Sequence, residues 1–188
     1  MDDSRTGLIA LLQLAYSGER AAGYAYAGHW RSVARPEERT RIRVIEDEEW
    51  RHRACVGRML ESLGSAPLRG REVRAAIIGR VLGFLCHVSG WFAPMYGAGR
   101  LESRNIREYE DAARLARDCG REDLVDDLLE MAEVEWEHEA YFRACVLSHP
   151  WSRRFQVWPQ PPPKEHIRAS YAAETDRSEV PAPQTRTA

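Results

Sequence analysis

The chain is short of the features that define several common protein classes. It has four cysteines in 188 residues, Cys55, Cys86, Cys119 and Cys145, and they form no C-x-x-C pair. Neither a zinc knuckle nor a disulfide framework is suggested, and a reducing compartment fits them. There is no G-x-G-x-x-G segment to cradle a dinucleotide. Neither sign of charge is in excess: 27 Lys and Arg against 29 Asp and Glu leave a formal charge of -2, which exerts no general pull toward nucleic acid. β-branched residues are few and no run alternates with period two, so strands are not expected. Asp2, Asp3 and Gln13 do not suit a secretory signal, and a cytoplasmic protein is the expectation.

What is present is helical periodicity in a composition, 44% hydrophobic and 30% charged, that suits one ordinary domain. Leu12, Ala15, Tyr16, Ala22, Gly23, Tyr26 and Trp30 share a stripe and predict a first helix over 8–30. Pro36 suits the first turn of a second, whose face carries Ile42, Ile45, Val56, Met59 and Leu60 and which stops at Gly64-Ser65-Ala66-Pro67. A third spans 101–116 and ends at Asp118-Cys119-Gly120. Leu124, Leu128, Met131, Phe142, Cys145 and Val146 mark a last helix ending near His149-Pro150. The fold class is all-α, a four-helix bundle of two hairpins. Between the hairpins, positions 81–99 carry no charge apart from His87. One helix from Arg71 to Asp118 would be about 70 Å long, so a break near Gly90, Pro94 or Gly97 is expected, leaving a separate apolar crossover helix. Residues 1–149 form the expected bundle. Residues 150–188, with seven of the ten prolines, form a Pro-rich tail expected to be disordered.

Carboxylates and imidazoles interrupt the apolar stripes. Glu19 lies among Ala15, Tyr16, Ala22 and Tyr26, where an unpaired charge would cost several kcal/mol. Glu49 and His52 share the stripe of Ile45 and Val56, and Glu135 and His138 share that of Met131 and Phe142, each pair in a Glu-Trp-x-His motif. Three residues apart is one face of a helix, so each pair can offer an oxygen and a nitrogen to one ion. In an antiparallel hairpin, residues equidistant from the turn lie side by side. Glu19 and Glu49 are centred on position 34, at the predicted turn, and Glu102 and Glu135 on 118.5, at the other. Glu102 also shares a stripe with Ala98, Asn105, Ile106, Tyr109, Ala113 and Ala116, whereas Glu108 and Glu110 align with charged residues. Both lone glutamates are followed seven residues on by a tyrosine, Tyr26 and Tyr109, as an internal duplication requires. Glu19, Glu49, His52, Glu102, Glu135 and His138 match the ligand pattern of ferritin-like di-iron or di-manganese bundles. Four carboxylates and two imidazoles suit two iron ions, or manganese, better than zinc. The alternative is surface carboxylates and satisfied histidines that coincide by chance.

Gly18-Glu19, Tyr26-Ala27-Gly28-His29, Glu48-Glu49-x-x-His52, Leu101-Glu102 with Tyr109, and Glu135-x-x-His138 together resemble the demethoxyubiquinone hydroxylases, over residues 10–148. The resemblance implies a membrane-associated di-iron monooxygenase acting on a polyprenyl quinone, with all six positions as metal ligands. Arg20, His29, the less regular crossover and the tail depart from that pattern. Tyr26 and Tyr109 are candidates to hydrogen-bond the ligands in the catalytic site, or are plain core tyrosines. Two electrons must come from an external donor, since no redox motif is present. Arginines from Arg51 to Arg80 precede the apolar run, an interfacial pattern that implies peripheral contact with the inner face of the cell membrane through 75–99, Trp91 and Phe92 included. A crossover buried in the bundle is the alternative. A hydrophobic quinone-like substrate, no nucleic acid partner and an open question of homo-oligomerisation complete the expectation. A rubrerythrin- or bacterioferritin-like peroxide or iron handler uses nearly the same ligands, with Glu139 as a candidate extra carboxylate.

Overall fold

The computed structural model of the chain describes residues 2–179. Six helices follow in order: α1 Asp2–Ser32, α2 Pro36–Ser62, α3 Arg69–Val88, α4 Phe92–Asp118, α5 Val125–Ser148 and α6 Glu165–Glu179. Short 3-10 turns lie at Glu122–Leu124 and Pro150–Arg153, and no strand occurs among the described residues. Pro36 opens α2 as its fixed φ allows, with Glu37 and Glu38 beside the positive end of the helix. Gly64 and Gly120, at φ of +66° and +73°, reverse the chain after α2 and α4. Ser65 N–H and Arg121 N–H then reach back to the Leu60 and Ala116 carbonyls, both at the ends of their hydrogen-bonding helices. The expected break between crossover and third helix falls at Gly90, φ +76°, so α4 starts earlier than its apolar stripe indicated and takes Pro94 into its first turn.

Two hairpins, α1 with α2 and α4 with α5, pack along the seam between α1 and α4 to form the helical bundle. Its core divides into two layers. Leu8, Leu12, Val56, Leu60, Ile106, Ala113 and Leu128 fill one, and Ala22, Ile42, Ile45, Met95, Phe142 and Val146 fill the other. Tyr109 belongs to the first layer and Tyr26 to the second, and the polar groups described below lie between them.

The crossover α3 packs on the outside of α1 through a stripe of small residues, Ala75, Ala76, Gly79 and Gly83. A Cβ built on Gly28 would stand 2.3 Å from the Gly83 carbonyl oxygen, and one built on Gly79 2.4 Å from that of Ala21, so glycine is needed for this approach. The opposite stripe, Val73, Ile77, Val81, Phe84 and Val88, is exposed. Neither sequence alternative is met in full: α3 is half packed and half bare. Trp91 and Phe92 turn inward instead. Trp91 Nε1 donates to Glu38 at 2.8 Å, and Phe92 is buried against His149, Trp151 and Phe155. No helix among the described residues is long and apolar enough to cross a membrane.

The tail differs from its expected disorder as far as it is described; positions 180–188 lie outside the described residues. Trp158 and Ile167 are buried in the bundle's two core layers. Trp158 Nε1 donates to Glu139 at 2.6 Å, and Trp136 Nε1 donates to the Pro162 carbonyl at 2.8 Å. Proline stiffness here works with two apolar anchors, which the count of prolines conceals.

Candidate metal centre

Each of the four bundle helices brings its polar interruption to one level, because both hairpins pair residues equidistant from their turns. Glu19 on α1, Glu49 and His52 on α2, Glu102 on α4, and Glu135 and His138 on α5 are all buried, with Glu49, Glu102, Glu135 and His138 fully enclosed. They form two overlapping sets. Glu19, Glu49, His52 and Glu135 can each offer one ligand atom within 4.8 Å of the others, and so can Glu49, Glu102, Glu135 and His138. Glu49 and Glu135 belong to both sets, as carboxylates shared between two ions would. All six predicted ligands thus come together, and Glu102 is the α4 glutamate that joins them. Glu108 instead pairs with Arg104 at 2.7 Å.

The tyrosines cross over between the two hairpins. Tyr26 OH donates to Glu102 and Tyr109 OH donates to Glu19, each hydroxyl on one hairpin holding the lone glutamate of the other. Burial, with the neighbouring carboxylates, keeps both phenols protonated by pushing them well above their ordinary range.

Two further residues belong to the site that sequence reasoning did not assign. Glu48 accepts from His138 Nε2 at 2.8 Å, which leaves His138 Nδ1 facing Glu49 Oε1 at 3.3 Å and Glu135 Oε2 at 3.7 Å. A carboxylate on the outer ring nitrogen fixes the ring and turns the inner nitrogen toward an ion. Asn105 Nδ2 donates to Glu102 at 2.9 Å and to Glu135 at 3.5 Å. Asn105 sat on the Glu102 stripe three residues on, the available signal. Glu48 adjoins Glu49, but only the packing of α2 on α5 reveals its partner. Val134 occupies the matching place in the second Glu-Trp-x-His motif, so the two motifs differ here.

Burial, reinforced by repulsion from the neighbouring carboxylates, raises the carboxyls of Glu19, Glu49 and Glu102 above their ordinary value, and Glu49 and Glu102 well above it. Burial acts the same way on Glu135, but hydrogen bonds from His138 and His52 outweigh it and hold Glu135 low. The two imidazoles, which burial would lower, are raised by the same carboxylates. Glu19 Oε2, both Glu49 oxygens and His138 Nδ1 are buried with no hydrogen-bond partner. Four unsatisfied lone-pair-bearing atoms converging inside a bundle are what a bound cation would satisfy, and four carboxylates balance two divalent ions. The residues therefore fit two hard, oxygen-preferring metal ions. Glu139, the candidate extra carboxylate, is occupied elsewhere, by Trp158 and by Arg143 at 2.5 Å.

Cavities approach this centre from three sides, and a small one of about 190 Å³ between α1 and α4 has Glu19, Asn105 and Tyr109 in its wall. One of about 470 Å³ lies between α1, α3 and α4 and is walled by apolar residues such as Leu82, Leu85, Pro94 and Leu101, with Tyr26 in its lining. Another, of about 380 Å³, opens between α2 and α5 and is polar, with Glu48, His52, Arg51, Asp127 and Glu130 around it. The four cysteines are free, and none belongs to either metal set. No protein-family model, curated protein or solved structure matches the chain.

Proposed function

We propose that the chain is an oxygen-dependent di-iron monooxygenase of the demethoxyubiquinone hydroxylase type, built on a ferritin-like bundle and acting on a hydrophobic aromatic or quinone ring. One juxtaposition carries the reading: an apolar cavity of about 470 Å³ has Tyr26 in its wall, and Tyr26 is bonded to Glu102 of the six-ligand cluster. That volume is within the usual range for a small-molecule site, and its lining favours a lipidic ring over a small polar reactant. Iron is the preferred occupant and manganese the alternative, both served by carboxylate and imidazole donors.

Two ferrous ions, when bound, would supply the reductive activation of dioxygen needed to place one oxygen on a ring C–H, the other leaving as water with two protons and two electrons from an external donor. The chain's own residues do the rest. Glu49 and Glu135 would be shared by both ions, with Glu19 and His52 completing one and Glu102 and His138 the other. Tyr26 and Tyr109 fix the outer glutamates, Glu48 fixes His138, and the apolar walls keep water from the reacting ring. The helix α3, whose Leu82 and Leu85 line the same cavity while its outer stripe is exposed, is suited to peripheral contact with a membrane holding such a substrate.

A rubrerythrin- or bacterioferritin-like peroxide or iron handler is favoured by one observation, the polar cavity at His52. The discriminating experiment supplies demethoxyubiquinone analogues, a reductant and labelled dioxygen to the iron-loaded protein. The hydroxylase reading requires one labelled oxygen in the product by mass spectrometry. Rapid peroxide turnover with no labelled organic product would support the other reading.

A further inference from the structure

One residue in the wall of the apolar cavity, His29, carries a buried polar atom with no hydrogen-bond partner. His29 follows Tyr26 by three residues on α1, so both face the same way, and both line the cavity. Its imidazole is 2% exposed, and its Nε2 has no hydrogen-bond partner and is shielded from solvent. Of the wall's other polar side chains, Ser89 is exposed to solvent and two are engaged. Tyr26 OH is committed to Glu102, and the Cys86 thiol donates to the Leu82 carbonyl of its own helix at 3.2 Å.

The ring is also held in place. It lies nearly parallel to Tyr26, with centroids 6.2 Å apart and planes 16° apart, and to Phe142 at 5.9 Å and 13°. Burial lowers its pKa to about 4, so at neutral pH it is an uncharged imidazole, able to donate to a carbonyl or accept from a hydroxyl. A buried polar atom left unpaired is a standing penalty in the empty protein, and a ligand that pairs with it removes the penalty. An oxygen-free ring of the same shape would not.

We propose that His29 is a specificity-determining residue: it takes an oxygen substituent of an otherwise apolar ring lodged against Tyr26, and so selects quinone- or phenol-like molecules over hydrocarbons of equal size. This rests on the hydroxylase reading for the identity of the substrate, and adds the contact that would recognise it. His29 is also a departure from the family pattern that the chain resembles, so the contact is a property of this sequence.

The test is binding, which needs no turnover. Equilibrium dialysis of the full-length protein is run with duroquinone, whose ring carries no open position for cysteine addition, and with durene, its oxygen-free counterpart. The wild type should bind duroquinone roughly tenfold or more tightly than durene, the contribution of about one hydrogen bond. His29→Phe should abolish that preference by weakening duroquinone alone, while His29→Gln should keep part of it. The folding midpoint of His29→Phe in urea should equal or exceed that of the wild type, because the substitution removes an unsatisfied group. If His29→Phe does not fold, His29→Met serves as the second apolar variant with the same expectation. An unchanged preference in the apolar variant, or no preference in the wild type, would overturn the proposal. Selectivity without any labelled hydroxylation product would leave this contact standing and remove the hydroxylase reading. Product without selectivity would do the reverse.

Discussion

At the residue scale, the side chains around the ligands make the site asymmetric. His138 has Glu48 on its outer nitrogen, and the position matching Glu48 in the other motif is Val134. Glu48→Ala should therefore weaken one of two metal-binding steps by roughly 10–100-fold, the usual effect of losing such a partner, and leave the step served by Glu19 and His52 nearly unchanged. A competitive metal titration resolves the two steps, and equal weakening of both would contradict the assignment. The protonation pattern gives a second expectation. Glu19, Glu49 and Glu102, raised by burial, and His52 and His138, raised by their carboxylates, bind protons in the metal-free fold that the unfolded chain has released. Such groups contribute stability that is present below their unfolded values and lost as pH rises through the folded ones. Glu135, held low, acts oppositely, but its contribution is lost only in acid. Between about pH 5 and about pH 8 the metal-free protein should melt at falling temperature, while bound metal, which displaces those protons, should raise the melting temperature more at the higher pH. Thermal melts with and without ferrous iron under anaerobic conditions check both signs.

At the element scale, the join between α1 and α3 is made by absent side chains. Gly28→Ala would place a methyl 2.3 to 2.5 Å from the Gly83 backbone, where no flexible side chain can yield. The helices must separate, at an expected loss of about 1–3 kcal/mol or more. Gly18, in the same helix with nothing within 4 Å, provides the contrast: Gly18→Ala should gain about 0.5–1 kcal/mol of helix stability. Urea titration measures both. This interface was not legible beforehand, because a glycine stripe in a helix reads as weak propensity and not as a contact surface. The hairpins were legible because Pro36, Gly64 and Gly120 punctuate regular stripes, and because Glu19 with Glu49 and Glu102 with Glu135 are centred on those turns. Glu48 was hidden for the opposite reason. Its partner is 90 positions away across a helix pair that shares no turn, and no spacing rule reaches that far.

At the scale of the whole molecule, the ordered tail and the bare crossover give the bundle two different sides. Trp158 and Ile167 bind the tail across α4 and α5, where their burial replaces regularity of sequence as the source of order. On the other side, Val73, Ile77, Val81, Phe84 and Val88 remain exposed next to Arg74 and Arg80. If that stripe meets a membrane, flotation with anionic vesicles should weaken as salt rises and weaken further with Phe84→Ser and Val88→Ser. Trp91→Ala should have little effect on vesicle binding, since Trp91 is turned toward Glu38. Flotation indifferent to both salt and the α3 substitutions would exclude this face. The central claim, however, is the paired site, and metal content tests it most directly. After anaerobic loading with ferrous iron and removal of loose metal, elemental analysis should find about two irons per chain, the number that four carboxylates and two imidazoles balance in charge and ligands. The double substitution Glu135→Ala with His138→Ala should abolish the pair. A wild-type content that stays at or below one metal per chain would contradict the account.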